Sequence, residues 1–312
     1  MNRGFIDALC LSVAVALLAG CGGSQPPIGA PGVMPQSRAS ALRTWKGTGR
    51  SDETIMYLAV ESPAVVQMER YSDGKKLARL QGLTAPDGVC SDSQGNVFAT
   101  DPTENNVKEY SHGGTVPIVT LDDSGYTPID CSYDPTTRNL AVANWTASGT
   151  GSVAVYANEQ GAPTYYPYVS EIFSCSYDNK GNLFVIGEVG SSLFAELRRG
   201  NKTFTNLSLP ISSIHNVHWD GTQIALSGGY DPFTGAIYRI RMHGSTVKVT
   251  GTTRLQWPGH KVILADFFVD SGTVVAAFGS FLGYWNYPEG GSLIKHQKYH
   301  TTASITVSYP SK

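Results

Sequence analysis

The stretch LTAPDGVCSDSQGNVFATDPTENNVKEY, residues 83–110, decides how this chain is read. It holds a short strand ending in Asp, a tight polar turn, and a second, more apolar strand. The Asp side chain accepts bonds from the turn's own amides, while Gly or Asn supplies the positive φ that the turn requires. What remains to decide is whether this hairpin stands alone or is one copy of a unit.

The unit recurs. DGVCSDSQGNVFATD (87–101) aligns with IDCSYDPTTRNLAVAN (129–144), FSCSYDNKGNLFVIG (173–187), HNVHWDGTQIALSGG (215–229) and ADFFVDSGTVVAAFG (265–279). The apolar anchors of the first strands are Val89, Cys131, Cys175, Val217 and Phe267, separated by steps of 42, 44, 42 and 50 residues. A third strand follows each hairpin (NNVKEYS, GSVAVYA, SLFAELR, AIYRIRM, GYWNYPE), and then a fourth such as VPIVTL or KTFTNLSL. Four antiparallel strands in a period of 40–50 residues define a β-propeller blade. The ends set the number of blades. ASITVSYP (303–310) matches only a first strand, whose anchor is placed at Val307, whereas residues 54–80 supply strands two to four and no first strand. The C-terminal strand is therefore expected to complete the N-terminal blade, giving an all-β, six-bladed propeller over residues 54–312. An unclosed ring would leave strand edges unpaired.

Residues 83–121 resemble an NHL-type repeat, and 128–201 do so more loosely. That resemblance implies a six-bladed propeller of the TolB-like class. It specifies shape far better than activity.

The ends of the chain carry a second resemblance. MNRGFIDALCLSVAVALLAGC has Arg3 before an apolar run from Ala8 to Ala19, too short to span a bilayer comfortably and laid out as an export signal. It ends in LAGC, residues 18–21, which resembles the lipobox of bacterial lipoproteins, where cleavage precedes a cysteine that is then lipidated. The resemblance implies a signal peptide over 1–20, lipidation of Cys21, and an extracytoplasmic protein held in the bacterial cell envelope, in the outer membrane if the organism has one. Several acyl chains give durable anchoring where one does not. Residues 21–53, rich in Gly, Pro and Ser without an apolar period, read as a flexible tether.

Composition agrees with that setting. Charged residues make up 15 % of the 312 and the formal net charge is −2, so there is no basic surface for nucleic acid or an anionic membrane. With Cys10 in the signal and Cys21 lipidated, Cys90, Cys131 and Cys175 remain in the body. Cys131 and Cys175 hold equivalent positions on adjacent blades and are expected not to pair. Buried free thiols are the main expectation, with a Cys90–Cys131 disulfide the alternative.

Side chains alternate along the innermost strand. One face is large and apolar and packs between blades. The other carries Gly88, Asp130, Ser174, Asn216, Asp266 and Thr306 just before the anchors, and is small or polar nearly all round. Asp130, Ser174, His215, Asn216 and Asp266 are therefore the candidate ligand-binding residues at the channel mouth, near the start of the inner strands. They face a structural alternative in which they bond neighbouring strands and channel water. A second candidate group lies on the loops between second and third strands, where Asp101, Asn144, Trp145, Glu188 and Tyr230 combine aromatic platforms with polar groups suited to a glycan or peptide.

The histidines do not form an enzyme motif: His215 and His218 lie on opposite faces of one strand, and no HExxH, paired CxxC or GxSxG occurs. The expected function is a lipid-anchored binding module for a protein, peptide or glycan. The alternative follows from the NHL resemblance, since some such propellers are metal-dependent lyases and lactonases of similar shape use acidic and amide ligands. It implies one divalent cation in the channel, held by a set drawn from Asp130, His215, Asn216, Asp266 and Glu188.

Overall fold

In the computed structural model, the described residues are 53–311, apart from 147–149, 169–170, 189–191, 229–233 and 261. The signal segment, Cys21 and the tether up to residue 52 lie outside them, as does Tyr230. The described chain forms six antiparallel sheets and almost no helix. Blade 1 is built in the order Thr302–Ser308, Ile55–Glu61, Ala64–Arg70, Lys76–Arg79. The inner strands of blades 2 to 6 are Val89–Ser91, Thr127–Tyr133, Glu171–Tyr177, Ile214–Trp219 and Asp266–Asp270, each followed outward by its next three strands, except that the outermost strand of blade 6 is Lys295–Lys298. Blade 5 has two long outer strands, Thr234–His243 and Thr246–Gln256, and a fifth short one, Gly291–Ser292, that pairs in parallel. That extra length accounts for the 50-residue step between Val217 and Phe267.

Turn chemistry makes the hairpins. In blade 2, Asp92 Oδ1 accepts the amides of Gln94 and Asn96, both at 2.8 Å, and Gly95 takes φ 85°. Blade 4 repeats the arrangement with Asp178, Lys180 and Asn182. The core lies in six wedges, one between each pair of adjacent blades. Ile55–Val60 explains why second strands are continuously apolar. Ile55, Tyr57 and Ala59 pack toward blade 2 while Met56, Leu58 and Val60 pack toward blade 6. Every side chain of such a strand is buried, whichever face it takes.

Closure occurs as expected, with Met56 opposite Val307 and Leu58 opposite Ile305. The register within blade 1 differs from the expectation by two residues. The anchor equivalent to Phe267 is Ile305 and not Val307, because the Ile305 amide donates to a side chain of the preceding blade, as the Cys175 and Val217 amides do. The thiol expectation is also corrected. Cys90 and Cys131 form a disulfide between the inner strands of blades 2 and 3, with a Cα separation of 5.7 Å, and only Cys175 is free and buried. A one-residue offset between the two cysteines turns Cys90 to the face that meets Cys131 in the neighbouring blade.

Candidate functional site

The polar residues of the inner strands tie the blades together. Asp130 Oδ1 accepts the amide of Cys131 at 2.8 Å, and Oδ2 accepts that of Cys175 in the next blade at 3.0 Å. Ser174 Oγ accepts the amide of Val217 (3.2 Å) and donates to Asn216 Oδ1 (2.9 Å). Asn216 Nδ2 reaches Ala265 O at 3.4 Å. Asp266 accepts Phe267 N at 2.7 Å and, across the closure, Ile305 N at 2.8 Å. Ser304 Oγ accepts Val89 N at 3.2 Å. This belt crosses five of the six blade interfaces. At the sixth, between blades 2 and 3, the equivalent residue is Gly88, where a Cβ would stand 2.5 Å from Asp130 Cα. There the Cys90–Cys131 disulfide makes the link instead.

Charge gathers at one part of the belt. His218 Nε2 donates to Asp266 Oδ1 at 2.6 Å. Burial pushes the Asp130 carboxyl up to about 7, and Asp266 adds to this, while His218, the Cys175 amide and the Ser174 hydroxyl pull it down. For His218, burial works against the charged form, but the Asp266 carboxylate outweighs it and the imidazole pKa is raised. Asp130, Asp266 and His218, drawn from blades 3, 6 and 5, therefore sense one another across the ring. His215 does not join them: it is exposed, at a bulge between Ile214 and Asn216.

The loop-face residues are spread out. Asp101 is fully buried, accepting the amides of Thr84 (2.7 Å) and Ala85 (3.2 Å), with Lys108 Nζ at 3.6 Å. Asn144 is buried between Asp123 and Ser152, both at 3.4 Å. Trp145 is half-buried and donates its indole N–H to Glu171 at 3.2 Å. Glu188 is exposed at the end of its strand.

The cavities open on the other face, at the turns that join first to second strands. An axial cavity of about 240 Å³ is lined by residues from all six inner strands, including Ser91, Ser132, Tyr133, Tyr177, His218, Trp219 and Thr306. A larger one, about 650 Å³, lies between blades 5 and 6 and shares His218 and Trp219 with it. The described chain begins on this face too, since Ile55 pairs with Ser308. The sequence pattern did not reveal these cavities because their linings come from turns about 40 residues apart. A third group also escaped the sequence. Asp92, Glu109 and Glu159, all buried, bring carboxylate oxygens within 4.8 Å of one another between blades 2 and 3, with Arg138 Nε 3.8 Å from Glu159.

The carboxylates expected as cation ligands fit that role poorly. Each oxygen of Asp130 and Asp266 already accepts a backbone amide, so the pair is committed to holding strands.

No protein-family model and no curated protein matches this sequence. Solved structures do match the fold. A protein of unknown function from Bacteroides caccae is similar with TM-score 0.61 and 10 % identity, over 82 % of this chain and 99 % of that one. A putative 6-phosphogluconolactonase from Bacteroides fragilis gives TM-score 0.53 and 11 % identity, over 82 % and 98 %. A streptogramin B lyase gives 0.50 and 13 %, over 69 % and 68 %. At such identities the likeness is one of architecture. The class defined by fold and comparison is the six-bladed β-propeller.

Proposed function

We propose that this protein is a ligand-binding propeller of the NHL, TolB-like kind, exported and lipid-anchored through Cys21, whose ligand seats on the turn face. One observation carries the reading. All six inner strands contribute to a single axial cavity whose lining combines Tyr133, Tyr177 and Trp219 with Ser91, Ser132, His218 and Thr306. Flat apolar faces around a few polar groups are what a peptide or glycan site requires. The test is capture by the full chain from a glycan and peptide library, read as a rise in melting temperature with ligand concentration. Trp219→Ala is expected to remain cooperatively folded and to lose capture. Undiminished capture by that variant would move the site elsewhere.

A second reading is favoured by His218. Two of the similar structures are named as a putative 6-phosphogluconolactonase and a streptogramin B lyase. In this chain the His218–Asp266 pair holds an imidazole at the wall of both turn-face cavities. An Asp-bound imidazole is an acid–base catalyst of the kind that ring opening of a lactone uses. Lactone opening by wild type that disappears in His218→Gln would establish this reading, and its absence from wild type across a lactone panel would end it.

A further inference from the structure

We propose that the cavity between blades 5 and 6 is a subsite for an acidic sugar, with the sugar carboxylate paired to Arg239. The proposal rests on the reading that the turn face takes a ligand, and it names the chemistry of that ligand.

Arg239 lies on the third strand of blade 5, directly opposite Gly251 on the fourth. Its guanidinium lies against the Gly251 backbone so closely that a Cβ there would come within 2.3 Å of Nη2. The ring of Tyr287, from blade 6, stands with its centroid 5.9 Å from the guanidinium carbon. The group thus touches the Gly251 backbone and lies near an aromatic ring, and both neighbours limit where it can swing. Its Nε is buried without a hydrogen-bond partner, and among the described residues no carboxylate lies within ion-pair distance of it. Arg239 is only partly buried and meets the cavity, and its planar fork matches a carboxylate in two-point geometry.

The rest of the lining restricts which anion fits. The cavity, about 650 Å³, has room for a disaccharide. Trp219, Phe268, Tyr287 and Tyr309 supply flat apolar surfaces for sugar rings. Asp220 and Asp270 also line it. Asp220 accepts the Tyr287 hydroxyl at 2.6 Å, and Asp270 accepts the Ser271 hydroxyl at 2.8 Å. Burial pushes the Asp220 carboxyl up, but the bonds from Tyr287, Gln223 and Thr222 outweigh it, so it stays ionised near neutrality. Asp220 and Asp270, in the same lining but beyond ion-pair distance of Arg239, disfavour a polyanion such as an acidic peptide or a polyphosphate. A ligand with one negative charge and several hydroxyl donors satisfies both kinds of group, and that is a uronic-acid sugar.

The test is calorimetric titration of the full chain with a galacturonate disaccharide and with its neutral galactose counterpart, at low salt and again at high salt. The expected result is at least tenfold tighter binding of the acid at low salt, with the advantage shrinking as salt screens the pair. Arg239→Met should weaken acid binding at least tenfold and leave the neutral sugar unchanged, and Arg239→Lys should fall between. Melting curves check that each variant is folded. If Arg239→Met fails to fold, the salt dependence in wild type and the Arg239→Lys titration decide the matter. Equal affinity for acid and neutral sugar overturns the proposal, as does acid binding that Arg239→Met leaves intact. If neither sugar binds while Trp219-dependent capture of another ligand persists, this inference alone fails. If no ligand is captured on the turn face at all, the binding reading falls with it.

Discussion

At the scale of single residues, Asp130 shows how a carboxylate in the wall of a ring becomes a fastener. Its two oxygens hold amides of two blades, and both amides lose their acceptor in Asp130→Ala. A buried amide left unbonded costs about 1–3 kcal/mol. Asp130→Ala is therefore expected to lower stability by roughly 2–4 kcal/mol, a fall of roughly 5–15 °C in melting temperature for a domain of this size. A variant that melts like wild type would show that the carboxylate is free for another purpose, and elemental analysis would then be the deciding measurement. Sequence position alone located Asp130 and Asp266 on the inner strands, just before the anchors. It had no means of telling a ligand from a fastener, because the partner atoms are backbone amides of other blades. Arg239 was silent for a related reason: what distinguishes it is the lack of a partner, and a missing contact leaves no pattern.

At the scale of elements, the six blade interfaces are alike except one. Where Gly88 removes the polar side chain, Cys90 and Cys131 supply a covalent link in its place. Reduction, or the pair Cys90→Ser and Cys131→Ser, should cost roughly 2–4 kcal/mol, by the usual worth of a disulfide closing a loop of this length. Urea unfolding with and without reductant measures it, and superimposable curves would show the bond to be incidental. The blades themselves were legible because their turns are local chemistry. Asp92 and Gly95, or Asp178 and Gly181, announce a hairpin whatever surrounds them. Blade 1 was legible only modulo two residues. Strand faces repeat every second residue, so placing the anchor at Val307 or at Ile305 leaves every side chain on the same side. The bonds from Ile305 N to Asp266 and from Val89 N to Ser304 separate the two registers.

At the scale of the whole molecule, the ring traps acidic groups in places water scarcely reaches. Burial pushes Asp87 and Asp123 up to about 6 and Asp130 to about 7, and the His218 imidazole is raised by Asp266. Each of these groups binds its proton more tightly folded than unfolded, so each favours folding at low pH and loses that advantage as pH rises through its folded pKa. His112, whose pKa burial lowers, acts in the opposite sense. With the raised groups outnumbering His112, the melting temperature is expected to fall between pH 5 and pH 8, and His218→Gln should flatten the upper part of that slope. A melting temperature that climbs across this range would contradict the assignment.

Each cavity and each belt contact depends on the last strand lying inside the first blade, since without it the inner strands do not encircle an axis. A double variant, Leu58→Cys with Ile305→Cys, tests this directly, because facing residues of antiparallel strands stand within disulfide reach. Oxidised in the native state and digested, the protein should yield a cross-linked peptide pair joining positions 58 and 305 in nearly every molecule. Recovery of those two peptides unlinked, with the new thiols free or joined to Cys175, would mean that the ring is not closed by its tail.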